Sequence, residues 1–213
     1  MKNICLEQRQ LFTLGLLMVI LAGCASSPSS KFYQFNPLPN RTSIPPDASH
    51  EQNKIIAIGP VHIPDYLDRP QIVTRASRNE LKLSEFDRWA GSLESDVTRV
   101  LVEDISDLLL PDRFSIVRWT PYPGSQVPAS YRVEVLLKRF EGTLGDSVLL
   151  KAQWEVFSPN RSLLLRRESL IREQVNGGSY DALVAAMSSA LERLSRNIAG
   201  GIRSVSQKEQ SGR

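Results

Sequence analysis

Residues able to do chemistry are few and scattered in this 213-residue chain. Its two histidines, His50 and His62, sit in a polar Ser/Pro-rich stretch and in an alternating apolar run. Local spacing therefore assembles neither a metal cluster nor a histidine-based triad. Glu103-Asp104 and the pair Asp65 and Asp68 have the right type for acid–base work, but such carboxylates on a helix surface or loop are ordinarily just solvated. Gly177-Gly178 and Gly200-Gly201 lack the Gly-Lys-Ser/Thr of a phosphate loop and read as hinge and fray points. That leaves Cys24, in Leu21-Ala22-Gly23-Cys24, directly behind the most apolar run of the chain. Its thiol can bridge, attack or be modified.

The residues before it decide among these. Lys2 and Arg9 give a basic start and Leu11 to Ala22 (LFTLGLLMVILA) an uncharged core, the pattern of an export signal. A permanent span wants about 20 apolar residues, and this core stops well short of that. Small residues leading straight into a cysteine resemble the bacterial lipobox. That resemblance implies cleavage between Gly23 and Cys24, a diacylglyceryl thioether on the Cys24 thiol and an acylated new amino terminus. Cys5 departs with the leader, so the mature chain keeps no intramolecular disulfide. A domain of about 190 residues buries enough surface without one. One acyl chain holds a protein marginally, at ~0.8 kcal/mol per buried methylene, whereas two or three hold it stably. Ala25 stands where an Asp would resemble an inner-membrane retention signal, which favours the outer membrane of a diderm bacterium, facing the periplasm. The mature chain would carry 24 basic against 22 acidic residues, which leaves no nucleic-acid footprint. No cofactor is expected.

The elements that would position any contact follow from periodicity. Ser26 to Asn53 is rich in Ser, Pro and Asn and suits a tether, except that the aromatics of Lys31 to Phe35 (KFYQF) can add an edge strand. From Lys54, KIIAIGPVHIP signals a strand, and QIVTRASRNELKLSE a hairpin around Ser77-Arg78-Asn79. Ser84-Glu85-Phe86-Asp87 resembles a capping box, and Phe86, Trp89, Leu93, Val97, Val100, Leu101, Ile105 and Leu108 build a helical stripe that Pro111 stops. A short strand, Phe114 to Trp119, precedes three longer ones: Tyr131 to Leu137, Val148 to Val156 and Leu163 to Ile171. Turns at 141–146 and 158–161 make these an antiparallel meander. Ser179 caps a second amphipathic helix through Ile202, with a polar, frayed tail after Arg203. The fold class is α/β, a single domain with a mixed sheet and two long helices. The divisions are 1–23 leader, 24–53 lipidated tether, 54–203 domain and 204–213 tail.

One loop stands out. Pro64 and Pro70 bracket Asp65-Tyr66-Leu67-Asp68-Arg69 and fix a stiff connection between strands. It is a turn or a contact site, and the residues alone favour the turn.

The run GPVHIPDYLDRPQIVTR followed by NELKLSEFDRWAGSLESDVTRVLVEDIS resembles the signature region of the ABC-type transport auxiliary lipoproteins, the PqiC-like family. The resemblance spans Lys31 to Ile202 and is strongest from Gly59 to Leu110. It departs at Gly91-Ser92-Leu93, where family members often carry an acidic residue and Pro, which puts the helix start in question. What the resemblance implies is a sheet flanked by two helices, close to the anticodon-binding-domain-like arrangement. It further implies a noncatalytic lipoprotein docking MCE-domain proteins and inner-membrane permease components at the outer membrane, with lipid as cargo and a homo-oligomer as one possible form. Asp65, Tyr66, Leu67, Asp68 and Arg69 are the candidate partner contact. An envelope assembly lipoprotein that moves no lipid is the alternative. A periplasmic hydrolase is the weakest reading, given so few histidines.

Overall fold

The computed structural model describes residues 29–39, 54–121 and 128–211. Cys24, Gly23 and His50 lie outside them. Within them, alternating and β-branched segments form eight strands: β1 Lys31–Tyr33, β2 Lys54–His62, β3 Gln71–Arg75, β4 Leu81–Trp89, β5 Phe114–Arg118, β6 Tyr131–Gly142, β7 Ser147–Phe157 and β8 Leu163–Gln174. The helices are α1 Leu93–Leu109 and α2 Tyr180–Ser211.

The meander β6-β7-β8 is antiparallel throughout, as expected. The other edge of β6 is shared by two strands in succession. β2 runs parallel to it from Ile56 opposite Tyr131, and β3 meets it further along at Thr74 opposite Gly142. β5 lies outside β2, while β4 and then β1 lie outside β3. The aromatic stretch inside the tether thus becomes an edge strand, β1, parallel to β4. Both helices cover one face of the sheet, α1 against β2 and β5, α2 against β6, β7 and β8. Tyr131, Val133, Val135 and Leu137 point into that layer, as do Val148, Leu150, Ala152, Trp154 and Val156. They meet Val97, Leu101 and Ile105 of α1 and Leu191, Leu194 and Ile198 of α2, all fully buried.

Three local expectations change. The stretch holding Ser84 and Asp87 is strand, and α1 starts only at Leu93, where the Ser92 side chain accepts from the Ser95 N–H at 3.4 Å. The serine–aspartate pattern does make its hydrogen bond, Asp87 N–H to Ser84 Oγ at 2.9 Å, but it closes a bulge. There β4 gains residues relative to β3, between the pairs Gln71–Arg88 and Val73–Leu83. Next, Gly200-Gly201 is no fray point. A Cβ on Gly201 would stand 2.5 Å from the Trp154 ring, so the glycine lets α2 press onto the sheet. Finally, α2 continues past Arg203 to Ser211 because its last turns are held. Val205 and Ser206 are buried, Lys54 Nζ reaches Ser206 Oγ at 3.2 Å, and Tyr131 donates to Glu209.

Candidate functional site

The loop between β2 and β3 is a 3₁₀ turn, Asp65–Leu67, closed by Leu67 N–H to Pro64 O at 2.9 Å and Arg69 N–H to Leu67 O at 2.8 Å. Trp89 N–H then donates to Pro70 O at 2.7 Å, which ties the loop's exit to the end of β4. Leu67 is buried in the core. Tyr66 is half-buried, and its hydroxyl donates to Glu141 Oε2 at 2.6 Å. Asp65 and Asp68 stay exposed and Arg69 is half-buried. Of the five candidates, then, the apolar pair holds the loop down and the acidic pair faces outward.

Glu141 is the hub beneath it. It is 1% exposed, and Oε1 receives Arg75 Nε at 2.8 Å and Arg139 through Nε at 2.9 Å and a terminal nitrogen at 2.7 Å. Burial pushes this carboxyl up. The hydrogen bonds from Tyr66, Arg139 and Arg75, with the positive charge of Arg139, outweigh that and hold it below the usual carboxylate range. Burial, together with the Glu141 carboxylate, raises the Tyr66 phenol. The cluster locks the seam where β3 meets β6, since Thr143 Oγ1 also donates to Arg75 O at 2.9 Å. None of this was visible from spacing. Residues 66, 75, 139 and 141 converge only through the parallel β3–β6 contact, and the turn was expected to begin at Glu141 itself.

A second set of contacts holds the segment after β1 against the helices. Phe35 is 1% exposed, with its ring centroid 4.9 Å from Trp89 and 5.5 Å from Phe140. Its N–H donates to Asp96 Oδ2 at 2.8 Å and its carbonyl accepts from Arg99 at 2.8 Å. Asn36 N–H reaches Ser188 Oγ at 3.2 Å, and Leu38 N–H reaches Asp104 Oδ1 at 2.7 Å. Ser195 of α2 donates to the other Asp104 oxygen at 3.1 Å. Residues 35–38 therefore form a strap that draws its partners from both helices. β1 is clipped by Tyr33, whose hydroxyl donates to Asp87 Oδ1 at 2.8 Å. Burial and Asp87 push that phenol up to about 12. Of the other sequence candidates, His62 is exposed at the end of β2 and Glu103 pairs with Arg99 at 3.1 Å. Among the described residues no group of His, Cys, Asp or Glu is placed to hold a metal, and no helix is long and apolar enough to cross a membrane.

A mixed sheet with both helices on one face, entered through a strapped N-terminal strand, defines a single α/β domain. The chain belongs to the ABC-type transport auxiliary lipoprotein component family, which it matches over residues 33–199. Among individual proteins it is similar to the intermembrane transport lipoprotein PqiC of Escherichia coli (strain K12). The two are 24% identical over 184 residues, covering 86% of this chain and 92% of that one, and the Shigella flexneri protein of the same name matches equally. Two crystal structures share the fold. Protein XCC0632 from Xanthomonas campestris superposes with a TM-score of 0.66 at 15% identity, covering 85% of this chain and 99% of its own. An uncharacterized protein superposes at 0.65 and 20% identity, covering 82% and 99%.

Proposed function

We propose that this protein is an outer-membrane-anchored, periplasm-facing docking subunit of an MCE-type lipid transport system, lipidated at Cys24 after cleavage behind Gly23. Family membership supports a transport role and the similarity to PqiC an intermembrane one. The observation that carries docking is how the chain enters the fold. Only seven residue steps separate Cys24 from Lys31, at most about 25 Å of extended chain. Beyond them β1 and the strap bind the sheet and both helices, so tension on an acyl anchor would pass directly into the core. The Asp65 to Arg69 loop lies at the same end of the β3–β4 pair as β1, because Arg88 pairs with both Phe32 and Gln71. On this reading Asp65 and Asp68 are the exposed contact toward the MCE-domain partner, presented on a turn that Tyr66 and Leu67 fix.

Coexpression with an MCE-domain protein and the permease, followed by detergent extraction and copurification, tests this. Native mass spectrometry of the same sample counts copies of the chain. The partner should copurify with wild type, and D65K/D68K should recover several-fold less of it at unchanged melting temperature. C24S should leave the outer-membrane fraction. Recovery of the lipoprotein with no MCE-domain protein attached would overturn the docking role.

A further inference from the structure

On the sheet face turned away from the helices, one row of side chains crosses four strands: Val117 of β5, Ala57 of β2, Arg132 of β6 and Phe157 of β7. Ala57 is the small member of that row. It leaves a cleft of about 380 Å³, walled by Arg118 and Trp119 on one side and by the turn Ser158 to Arg161 on the other. That volume lies within the range of small-molecule sites.

The cleft is strongly basic. Arg118, Arg132 and Arg161 all line it, and among the described residues the one carboxylate paired there is Glu134, 2.5 Å from Arg132. The guanidinium groups of Arg118 and Arg161 have no hydrogen-bond or ion-pair partner among the described residues. Arg132 is set rigidly, with its guanidinium 5.7 Å from the Trp119 ring and 5.6 Å from that of Phe157. Its Nε is buried yet meets no acceptor among the described residues. Arg69 and Arg88 share that feature, but neither lines this cleft. Planar guanidinium forks around a small hollow suit a phosphate, which they can hold through paired hydrogen bonds. Val117, Trp119 and Pro159 add an apolar wall beside the charge.

We infer that this cleft binds a phosphate ester, with Arg118, Arg132 and Arg161 on the phosphate and the Trp119 side on its organic part. A phospholipid headgroup and a soluble phosphate ester share this chemistry. The inference rests on the transport reading only in making a lipid the first probe. The test uses the processed chain carrying C24S, so it stands apart from both anchoring and docking. Calorimetric titration with dihexanoyl phosphatidylglycerol below its micelle concentration should show saturable binding of one molecule per chain. R118Q/R161Q should weaken it at least tenfold without moving the melting temperature, because neither side chain has a partner among the described residues to lose. Sn-glycerol 3-phosphate and inorganic phosphate as further titrants separate the sources. Tenfold tighter binding of the lipid assigns a headgroup, and equal binding of all three keeps the phosphate site but assigns a soluble ligand. W119A should then weaken the lipid and spare inorganic phosphate. No saturable binding of any of the three, or wild-type affinity in R118Q/R161Q, would overturn the assignment.

Discussion

Glu141 and Asp104 are buried to the same degree, each 1% exposed, and the fold treats them in opposite ways. Glu141 meets two guanidinium groups and a phenol and is held below the ordinary carboxylate range. Among the described residues Asp104 meets only neutral donors, the Leu38 N–H and the Ser195 hydroxyl, which offset its burial in part. The carboxylates of Glu192 and Asp107 push it further up, so it titrates above the ordinary range. Each pins one connection: Glu141 the loop from 63 to 70, Asp104 the strap from 35 to 38. A buried charge can therefore be the strongest fixture in a region or its weakest, depending on whether its partners bring compensating charge.

Replacing the hub should show the largest effect. E141Q leaves Arg75 and Arg139 converging on a neutral amide, and breaking such a buried pair costs about 4 kcal/mol. Urea denaturation at pH 7 reads this directly. A loss under about 1 kcal/mol would mean that the β3–β6 seam holds without its charge cluster.

Next comes the apolar half of the strap. F35A empties the space against Trp89 and Phe140 and should cost about 3 kcal/mol. Hydrogen exchange should show the amides of Phe35, Asn36 and Leu38 losing protection first. If they stay protected, the polar contacts to Asp96 and Asp104 hold the strap unaided, and the contrast with Glu141 narrows.

Y66F should come third, at about 1.5 kcal/mol, because it removes one hydrogen bond to a charged group and leaves the two guanidinium partners in place. Amide exchange at Leu67 and Arg69, whose N–H groups close the 3₁₀ turn, should quicken while the meander stays protected. Unchanged exchange there would show that Pro64 and Pro70 alone fix the loop.

How much of this was legible depends on the distance over which each feature is encoded. The meander and both helices follow from two- and four-residue periodicities, so Tyr131 to Leu137 and Leu183 to Ile202 fell where the pattern put them. KFYQF was visible as an edge strand because its aromatics broke a polar run. Ser84 to Asp87 misled because the same local hydrogen bond closes a helix cap and a strand bulge, and only the partner strand tells them apart. Gly201 misled because a glycine pair near a chain end looks like fraying until Trp154 is seen against it. The Glu141 cluster and the Ala57 row were illegible for one reason. Both depend on parallel pairing of β6 with strands more than sixty residues earlier, and no short window contains that register. The loop was read rightly as a stiff turn, yet nothing local showed that Tyr66 points inward to a carboxylate.

The smallest effect is expected at Asp104, and its pH dependence separates the two carboxylates most cleanly. An asparagine can keep both contacts there, its carbonyl accepting from Leu38 N–H and its amide donating to the Ser195 hydroxyl. D104N should therefore lie within about 1 kcal/mol of wild type at pH 7, on the stable side if it differs, since it removes an uncompensated buried charge. The folded protein binds the Asp104 proton more tightly than the unfolded chain does, so ionisation opposes folding. Stability from this group is complete below the unfolded value of about 3.9 and is lost as pH rises through the raised folded value. Glu141 runs the other way, its contribution complete above about 4.3 and lost as pH falls through its lowered folded value. Wild type should thus gain stability from Asp104 as pH falls from 7 toward the unfolded aspartate value of about 3.9, and lose stability from Glu141 in stronger acid. D104N should abolish the gain and keep the loss, and E141Q should keep the gain and blunt the loss. Parallel urea midpoints for wild type and D104N from pH 7 down to about 4 would show that Asp104 finds compensating charge at the strap after all, and the strap would then be fixed as firmly as the loop.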